Sequence, residues 1–240
     1  MHPPVPWITR DSEFPSPESA DERGFVCAGG ELTVDRLLRA YRSGLFPWSV
    51  RPVTWWSPDP RGVFEFDRIH IGRSLARALR QKPYEVTFDR AFTAVVRACA
   101  SVPRKGDDTW IRAEFIDAYE SMHRAGWAHS CECWQGDRLV GGVYGVAIGG
   151  FFAGESMFHH ADDASKIALI SLLKHVQRQG FRLFDTQMLT STTRALGAVE
   201  ISRQEYLRRL PEAVNQPCQF NAPIPPALPP APAAGPTEPV

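Results

Sequence analysis

The period of the hydrophobic pattern changes near the middle of this chain, and that change limits the possible folds more than any other feature. In the first half, apolar residues recur mainly at the three- and four-residue spacing of helices. In the second half, the turn sequence Gln135-Gly136-Asp137 separates strand-like runs over residues 128–134 and 139–148, which predicts a hairpin. We therefore expect helices to dominate residues 30–125 and a mixed region of strands and helices to span residues 126–210.

Capping residues and apolar spacing predict the individual elements. The predicted helices are one capped by Thr33, one over residues 72–81, one capped by Asp89, one near residues 112–125, one over residues 164–179 and one that follows a capping box at Ser202 and runs through Leu210. Further strands are predicted over residues 150–155 and 181–185. Asp59 lies between two prolines, so residues 55–61 are predicted to form a rigid loop that carries aromatic rings.

The composition shifts at both ends of the chain. Residues 1–24 are rich in proline, serine and acidic residues and are predicted to form an extended arm. Eight of the last twenty residues are proline, which is typical of a disordered or polyproline segment. We predict an α+β protein with a small N-terminal lobe over residues 1–62, a larger lobe of acyltransferase type over residues 63–217 and a disordered tail over residues 218–240.

Charge and hydropathy exclude several classes of protein. The chain has 27 basic and 27 acidic residues, which argues against a polybasic protein held to its partner by charge alone. No stretch approaches the roughly 18 apolar residues of a membrane span, and no secretory signal is visible. The five cysteines are an odd, scattered set that does not suit a disulfide framework. We therefore expect a cytoplasmic protein with reduced thiols and no membrane partner.

The motifs expected of metal, nucleotide or covalent chemistry are missing from the sequence. No cysteine or histidine spacing matches a structural zinc site, and Cys131 and Cys133 fall on one strand face as core residues would. There is no G-x-S-x-G elbow, no P-loop and no strand-linked G-x-G-x-x-G. The sequence therefore predicts no metal and no cofactor, and it contains no glycine-rich loop of the kind that would bind the pyrophosphate of acyl-CoA.

One stretch is basic within this neutral chain. Residues 68–105 contain nine basic and two acidic residues, a local charge of +7, and Arg73, Arg77 and Arg80 share one face of a predicted helix. Such clustering is the footprint of phosphate contacts, although most charged helix faces are only solvated. Four nearby tryptophans favour nucleic acid if their rings are exposed to stack on bases, and core packing if they are buried. They are Trp48, Trp55, Trp56 and Trp110.

Three polar residues stand out within apolar strands of the second half. Glu155 lies in the apolar run Phe151–Phe158, so its carboxylate must be paired or hydrogen-bonded. Asp185 and Gln187 end a short strand, and their two-residue spacing predicts that both side chains face the same way. Such a pair can hold one substrate group, or it can satisfy loop amides, and spacing alone favours neither interpretation.

Distinctive motifs follow one another in a fixed order over roughly residues 14–210. They are Gly29-Gly30-Glu31-Leu32, Gly44-Leu45-Phe46-Pro47-Trp48, Trp55-Trp56-Ser57-Pro58-Asp59-Pro60-Arg61, Thr109-Trp110-Ile111, Leu139-Val140-Gly141-Gly142-Val143-Tyr144, Gly154-Glu155-Ser156-Met157-Phe158, Ala164-Ser165-Lys166, Asp185-x-Gln187 and Leu196-Gly197-Ala198. Together they resemble the leucyl/phenylalanyl-tRNA–protein transferase family. That resemblance implies a larger lobe with an acetyltransferase-like, GNAT-type fold that uses no CoA.

The resemblance also implies a function. The family moves leucine or phenylalanine from aminoacyl-tRNA to the N-terminal amine of a protein that begins with Arg or Lys, which marks that protein for the N-degron pathway of degradation. The partners implied are Leu-tRNA, Phe-tRNA and the acceptor N-terminus, and we expect a monomer. Two other functions stay open from the sequence: an acyl-CoA-dependent N-acyltransferase and a non-catalytic tRNA-binding module.

Matching positions imply roles for single residues. Trp48 and Trp110 would hold the 3′ adenosine of the tRNA, and Arg73, Arg77 and Arg80 are predicted to contact its phosphates. The aminoacyl pocket would comprise Val143, Phe152, Leu169 and Phe184. Glu155, Asp185 and Gln187 form the predicted catalytic set, in which Gln187 accepts a hydrogen bond from the attacking amine while Asp185 orients Gln187 or takes the proton.

The chain departs from the family pattern beside this predicted site. Thr192-Thr193 stands where the family has His-Leu, Ala195 stands where it has Ser, and His159-His160 stands where it has Ser-Arg. These differences leave aminoacyl transfer as the expected activity, and they point to an acceptor preference other than N-terminal Arg or Lys as an alternative.

Overall fold

The structure is a computed structural model that describes residues 6–81, 83–102 and 111–221. The α+β prediction is confirmed, with a smaller four-stranded sheet and a larger seven-stranded sheet. The strands are β1 (Trp7–Ile8), β2 (Phe25–Gly29), β3 (Phe46–Val50), β4 (Val53–Trp56), β5 (Arg61–Phe64), β6 (Glu85–Phe88), β7 (Ala128–Gln135), β8 (Arg138–Ile148), β9 (Phe151–His159), β10 (Leu183–Gln187) and β11 (Val199–Ile201). The α-helices are α1 (Val34–Arg42), α2 (Arg73–Gln81), α3 (Phe92–Ser101), α4 (Ala113–Arg124), α5 (Ala164–Arg178), α6 (Ser191–Ala195) and α7 (Arg203–Asn215).

The smaller sheet has the strand order β1-β2-β4-β3. Helices contribute more of residues 30–125 than strands do, as predicted, but four strands that were not predicted also lie wholly within that range, and β3 and β4 of this sheet are two of them. The sheet corrects the predicted loop at residues 55–61, since Trp55 and Trp56 belong to β4. The prolines constrain only the residues after Trp56, whereas Val53-Thr54-Trp55-Trp56 is β-branched and aromatic and therefore favours a strand.

The larger sheet has the strand order β11-β5-β10-β9-β8-β7-β6. The predicted hairpin is confirmed, because β7 and β8 pair antiparallel on either side of residues 136–137. Strand β9 continues to His159, beyond its predicted end, and β10 lies parallel to it. Strand β10 therefore ends between β9 and β5, and this end of the sheet carries the residues predicted to be functional.

Two hydrophobic clusters pack on the two faces of the larger sheet. The first contains Trp55 of the smaller sheet together with Phe151, so the two sheets share one core. The second contains Phe152 and the inner face of α5. The expected boundary between residues 62 and 63 falls inside β5, a strand of the larger sheet, and the division into lobes stays a prediction.

Helix ends agree with the capping predictions at two positions and disagree at a third. The side-chain oxygens of Thr33 and Ser202 accept hydrogen bonds from the backbones of α1 and α7. The Asp89 cap is wrong, because α3 begins after Ala91 and the Asp89 carboxylate turns instead toward β7. Helix α7 also runs past its predicted end, to Asn215. None of the helices in the described part of the chain is long and apolar enough to cross a membrane.

Candidate active site

A cavity of about 290 Å³ lies at the end of β10. Its apolar wall includes Val143, Leu169 and Phe184, which are three of the four residues predicted for the aminoacyl pocket. The fourth, Phe152, is fully buried behind this wall, and its ring stacks on Phe184 with centroids 5.1 Å apart. The cavity therefore offers an apolar recess large enough for one amino-acid side chain.

The remaining lining of the cavity is largely polar. Glu155, Gln187 and four threonines line it, namely Thr186, Thr190, Thr192 and Thr193. The departures at Thr192 and Thr193 thus lie at the cavity itself. Thr190 and Thr193 cap each other at the start of α6, so their hydroxyls are engaged with the helix end. One apolar wall and one hydrogen-bonding wall suit a substrate with an apolar side chain and a polar reacting group.

Glu155 is the centre of a hydrogen-bond network at this polar wall. Its two carboxylate oxygens accept hydrogen bonds from Tyr41 Oη at 2.8 Å and Tyr119 Oη at 2.7 Å. Gln187 Nε2 donates to the same carboxylate at 3.2 Å. Removal from water raises the pKa of Glu155 to about 7, even though the tyrosine and glutamine hydrogen bonds oppose the shift. A carboxylate with that pKa exchanges protons near neutral pH.

The two tyrosines fix this carboxylate in place. Their hydroxyls also contact each other at 2.8 Å, and both side chains are buried. Burial and the neighbouring charge of Glu155 raise the pKa of Tyr41 and of Tyr119 well above the usual value, so both hydroxyls stay protonated and donate. Neither tyrosine was predicted from the sequence to be functional. The available signal was a tyrosine on the apolar face of each helix, because a buried hydroxyl needs a partner.

Asp185 does not line the cavity. Its carboxylate is fully buried and receives Arg61 Nε at 2.9 Å and Arg61 Nη2 at 2.6 Å. Tyr206 Oη donates to the same carboxylate at 3.0 Å. Burial alone would lower the pKa of Arg61, but the adjacent Asp185 charge raises it. Arg61 was also not predicted from the sequence to be functional. The available indication was its position at the start of an apolar strand, where a buried charge needs a partner.

Asp185 and Gln187 have different partners, and the strand between them is not regular. The register of β10 against β5 shifts between them, and Gln187 has a φ of +59°. This bulge sends the Asp185 side chain to Arg61 and the Gln187 side chain to Glu155. The residues stay linked through the backbone, because Gln187 N donates to Asp185 Oδ1 at 2.8 Å. Asp185 therefore fixes the backbone from which Gln187 projects.

The predicted adenosine-binding residues fall in two parts of the chain. Trp48 lies on β3 and is one of the most exposed large apolar side chains, at 39%. The centroid of its ring lies 6.0 Å from that of Phe46 and 5.9 Å from that of Trp56, so the ring packs on two aromatic neighbours and is partly exposed. Trp110 lies outside the described residues. The role of both rings stays a prediction.

The predicted phosphate-binding residues project from α2. Arg73, Arg77 and Arg80 are all exposed, and none has an ion pair within the described ranges. Two other basic residues of the same stretch are paired: Arg90 lies 3.3 Å from Glu85, and Arg97 lies 3.6 Å from Glu120. Arg68 is exposed and, like the arginines of α2, has no ion pair within the described ranges. The three arginines of α2 are thus exposed basic side chains on one helix that have no ion pair among the described residues.

One side-chain cluster has the composition of a metal site. Among the described residues, Asp89, His123 and His129 each bring a possible ligand atom within 4.8 Å of the other two. Hydrogen bonds already account for this cluster, because the Asp89 carboxylate receives His129 Nδ1 and the backbone of Ser130, and His123 Nδ1 contacts Ala128 O.

Cys131 and Cys133 are buried, and burial raises the pKa of each thiol, as expected of core residues.

A larger cavity of about 530 Å³ lies beside residues 216–221. Its lining includes His129 and Phe220 but no carboxylate and none of the residues predicted to be functional. The smaller cavity at β10 is therefore the better candidate for chemistry, since it brings Glu155 and Gln187 together with three of the residues predicted for the aminoacyl pocket.

Comparison with known proteins places this site in an enzyme class. The family described as leucyl/phenylalanyl-tRNA protein transferase matches residues 63–211, and its N-terminal domain matches residues 30–59. The chain is thus an aminoacyltransferase, with its candidate site inside the first of these ranges. It belongs to the leucyl/phenylalanyl-tRNA–protein transferase family.

Full-length relatives support this assignment. A leucyl/phenylalanyl-tRNA–protein transferase from Anaeromyxobacter sp. strain Fw109-5 is 48% identical over 213 residues, which are 88% of this chain and 91% of that protein. One from Pseudomonas fluorescens strain Pf0-1 is 48% identical over 216 residues, covering 88% and 96%. The solved structure of L-PGS from Bacillus licheniformis is a distant match, with a TM-score of 0.38 and 15% identity over 65% of this chain and 53% of that one.

Proposed function

We propose that this chain transfers leucine or phenylalanine from aminoacyl-tRNA to the N-terminal amine of an acceptor protein, typically one that begins with Arg or Lys. The observation that carries the proposal is the β10 cavity, with an apolar recess on one side and the Glu155–Gln187 pair on the other. A leucyl or phenylalanyl side chain occupies the recess, and its ester carbonyl faces the polar wall.

The reaction needs little covalent help from the protein. The amine nitrogen attacks the ester carbonyl carbon, the amine loses a proton, and the carbon–oxygen bond to the tRNA ribose breaks as the ribose oxygen takes up a proton and leaves as a hydroxyl. Because the ester is already activated, the protein has to place a neutral amine, and placement can supply about 7–11 kcal/mol of the barrier. An N-terminal amine has a pKa of about 7.7–8.0, so a weak base is sufficient.

Gln187 and Glu155 divide this task. Gln187 Nε2 is held by Glu155, which leaves the amide oxygen of Gln187 free to accept a hydrogen bond from the amine. Glu155, with its pKa raised to about 7, takes the amine proton. Asp185 acts through the backbone of Gln187 and holds it in the bulged conformation.

The tRNA is held outside the cavity. Trp48 and Trp110 stack on the 3′ adenosine, and the arginines of α2 contact phosphates. We further propose that the protein acts as a monomer in the cytoplasm, where charged tRNA is found, and that transfer marks the acceptor for the N-degron pathway. No cofactor takes part in this mechanism. The threonines at positions 192 and 193, which line the cavity, bear on which acceptor N-terminus is preferred.

A transfer assay tests the proposal. The purified chain is incubated with labelled Leu-tRNA and a peptide library that varies the first residue, and label in peptides is measured. We expect label in peptides that begin with a basic residue. A parallel incubation replaces Leu-tRNA with labelled acetyl-CoA. If label enters peptides only in that second incubation, the chain is an acyl-CoA N-acyltransferase. Binding of tRNA without either transfer would identify a tRNA-binding module.

A further inference from the structure

Phe220 is buried deep in the fold although it lies beyond residue 211, where the match to the family ends. Only 3% of its surface is exposed. Its ring stacks on His129, with centroids 4.1 Å apart and planes within 9°, and lies 4.7 Å from His175 and 6.0 Å from Phe152. The residues after α7 thus return to the larger sheet and insert one aromatic ring into the second core cluster.

Hydrogen bonds hold this ring in position from both sides. His175 Nε2 lies 2.7 Å from the backbone oxygen of Phe220, and Asn221 Nδ2 donates to the Asp89 carboxylate at 2.9 Å. Burial lowers the pKa of His175, so this imidazole is neutral and donates one hydrogen bond. Phe220 is therefore fixed by its neighbours on the sheet and on α5.

The ring of Phe220 is the outermost of three stacked rings that end at the cavity. Phe152 lies between the other two, with centroids 6.0 Å from Phe220 and 5.1 Å from Phe184. The interplanar angles are 29° and 23°, so Phe152 is stacked on both of its neighbours. Phe184 forms part of the apolar cavity wall, whereas the two rings behind it have no surface in the cavity. Because protein interiors are close-packed, Phe184 can retreat only if the rings behind it give way.

We propose that Phe220 is a specificity-determining residue for the amino acid that is transferred. It positions Phe152 behind Phe184 and so limits the depth of the apolar recess. The proposal rests on the proposed function, in which this recess takes a leucyl or phenylalanyl side chain. A smaller residue at position 220 leaves space into which Phe152 and then Phe184 move, and the deepened recess favours phenylalanine, the larger side chain, over leucine.

The test compares kcat/KM for Phe-tRNA and Leu-tRNA with one acceptor peptide, in the full-length chain. We expect the ratio of kcat/KM for Phe-tRNA to kcat/KM for Leu-tRNA to rise about 10-fold in Phe220→Ala. This is the low end of the roughly 10–200-fold discrimination that one methylene gives in an apolar pocket. Phe220→Leu, which removes less volume and keeps the core filled, should raise the ratio by less. The ratio does not depend on the folded fraction, so destabilisation alone leaves it unchanged.

Phe92→Ala is the matched control. It also removes a buried ring, but from the first core cluster, where Phe92 stacks on His123. We expect it to lower the melting temperature without changing the ratio. An unchanged ratio in both Phe220 variants, with wild-type transfer intact, would overturn the proposal. Absence of transfer by the wild-type chain would instead overturn the proposed function, so the two failures are distinct.

Discussion

Arg61 holds the carboxylate of Asp185 in a buried two-point ion pair, with Nε–Oδ1 and Nη2–Oδ2 distances of 2.9 and 2.6 Å. A carboxylate bound in this way is a poor proton acceptor, because its lone pairs are occupied and its charge is compensated. What Asp185 can do is hold the Gln187 backbone through the bond to Oδ1. The pair therefore supports a positioning role for Asp185 and leaves Glu155 as the titrating group.

Asp185→Asn should lower kcat by about 10²-fold with little change in KM for aminoacyl-tRNA, since a displacement of about 1 Å in a positioning residue can cost that much. It should also lower the free energy of unfolding by about 3–5 kcal/mol, because Arg61 is left buried without its counter-ion. Steady-state kinetics and urea denaturation measure the two effects. The pH–rate profile should keep its rise, but its apparent pKa should be lower than in wild type, because the charge of Asp185 helps to raise the pKa of Glu155.

Glu200→Gln is the control for this variant. It removes one partner of an exposed pair with Arg194, 3.6 Å apart, and should change stability by less than about 1 kcal/mol. If Asp185→Asn folded as stably as wild type and abolished the pH dependence of transfer, Asp185 would be the proton acceptor and the positioning role would be wrong.

Glu155→Gln should change the pH dependence of transfer. With the pKa of Glu155 raised to about 7, the carboxylate is ionised only above that pH, so wild-type kcat/KM should rise through pH 7. The variant should be about 10²–10⁴-fold slower above that pH and should lack this rise. The acceptor amine titrates in both proteins, so the informative quantity is the difference between the two profiles. Glu120→Gln, which lies outside the cavity lining, should keep the wild-type profile.

The same carboxylate makes stability depend on pH. The folded pKa of Glu155 is about 7 and the ordinary value is 4.5, so between these values the unfolded chain binds fewer protons than the folded one. The contribution of Glu155 to stability is therefore full below about pH 4.5 and falls as the pH rises to 7. The free energy of unfolding of Glu155→Gln minus that of wild type should therefore be larger at pH 8 than at pH 4.5. Chemical denaturation at the two pH values measures this difference, and an equal difference at both would show that Glu155 has an ordinary pKa in the folded chain.

The sequence predicts the hairpin, six of the seven α-helices in the described residues and the main cavity residues, because each depends on local periodicity or on a family motif. The relation between Asp185 and Gln187 was not predictable, since a two-residue period assumes a regular strand and the bulge between them has no sequence signal of its own. The Arg61–Asp185 pair was missed for a different reason. Arg61 and Asp185 are 124 residues apart in the sequence. Each residue taken by itself is typical of a loop or of the end of a strand, and nothing in the sequence links the two.

Trp48→Ala should weaken the grip on the 3′ end of the tRNA. A base stacked on an aromatic ring is worth about 1–3 kcal/mol, so KM should rise about 5- to 150-fold for aminoacyl-tRNA and for a minimal aminoacyl-adenosine substrate. Trp110→Ala should do the same. Trp7→Ala is the control, because Trp7 is also exposed, at 65%, but lies on β1 at the far edge of the smaller sheet. Loss of affinity for tRNA with normal use of the minimal substrate would place Trp48 against another part of the tRNA.

Replacing Arg73, Arg77 and Arg80 together with alanine should weaken tRNA binding and reduce its salt dependence. Each lost phosphate contact should reduce the slope of log K against log salt by about one, so three contacts reduce it by about three. The side chains are exposed and α2 needs none of them for packing, so the melting temperature should stay near that of wild type.

The matched control for this triple variant is Arg90→Ala with Arg97→Ala, which removes basic residues from the same stretch that already have acidic partners. Because those charges are compensated in the free protein, the control should change the slope by much less than two. Filter binding at several salt concentrations gives both slopes. Equal slopes for wild type and the triple variant would mean that the basic face of α2 is only solvated, and the phosphate path would then have to run over another surface of the protein.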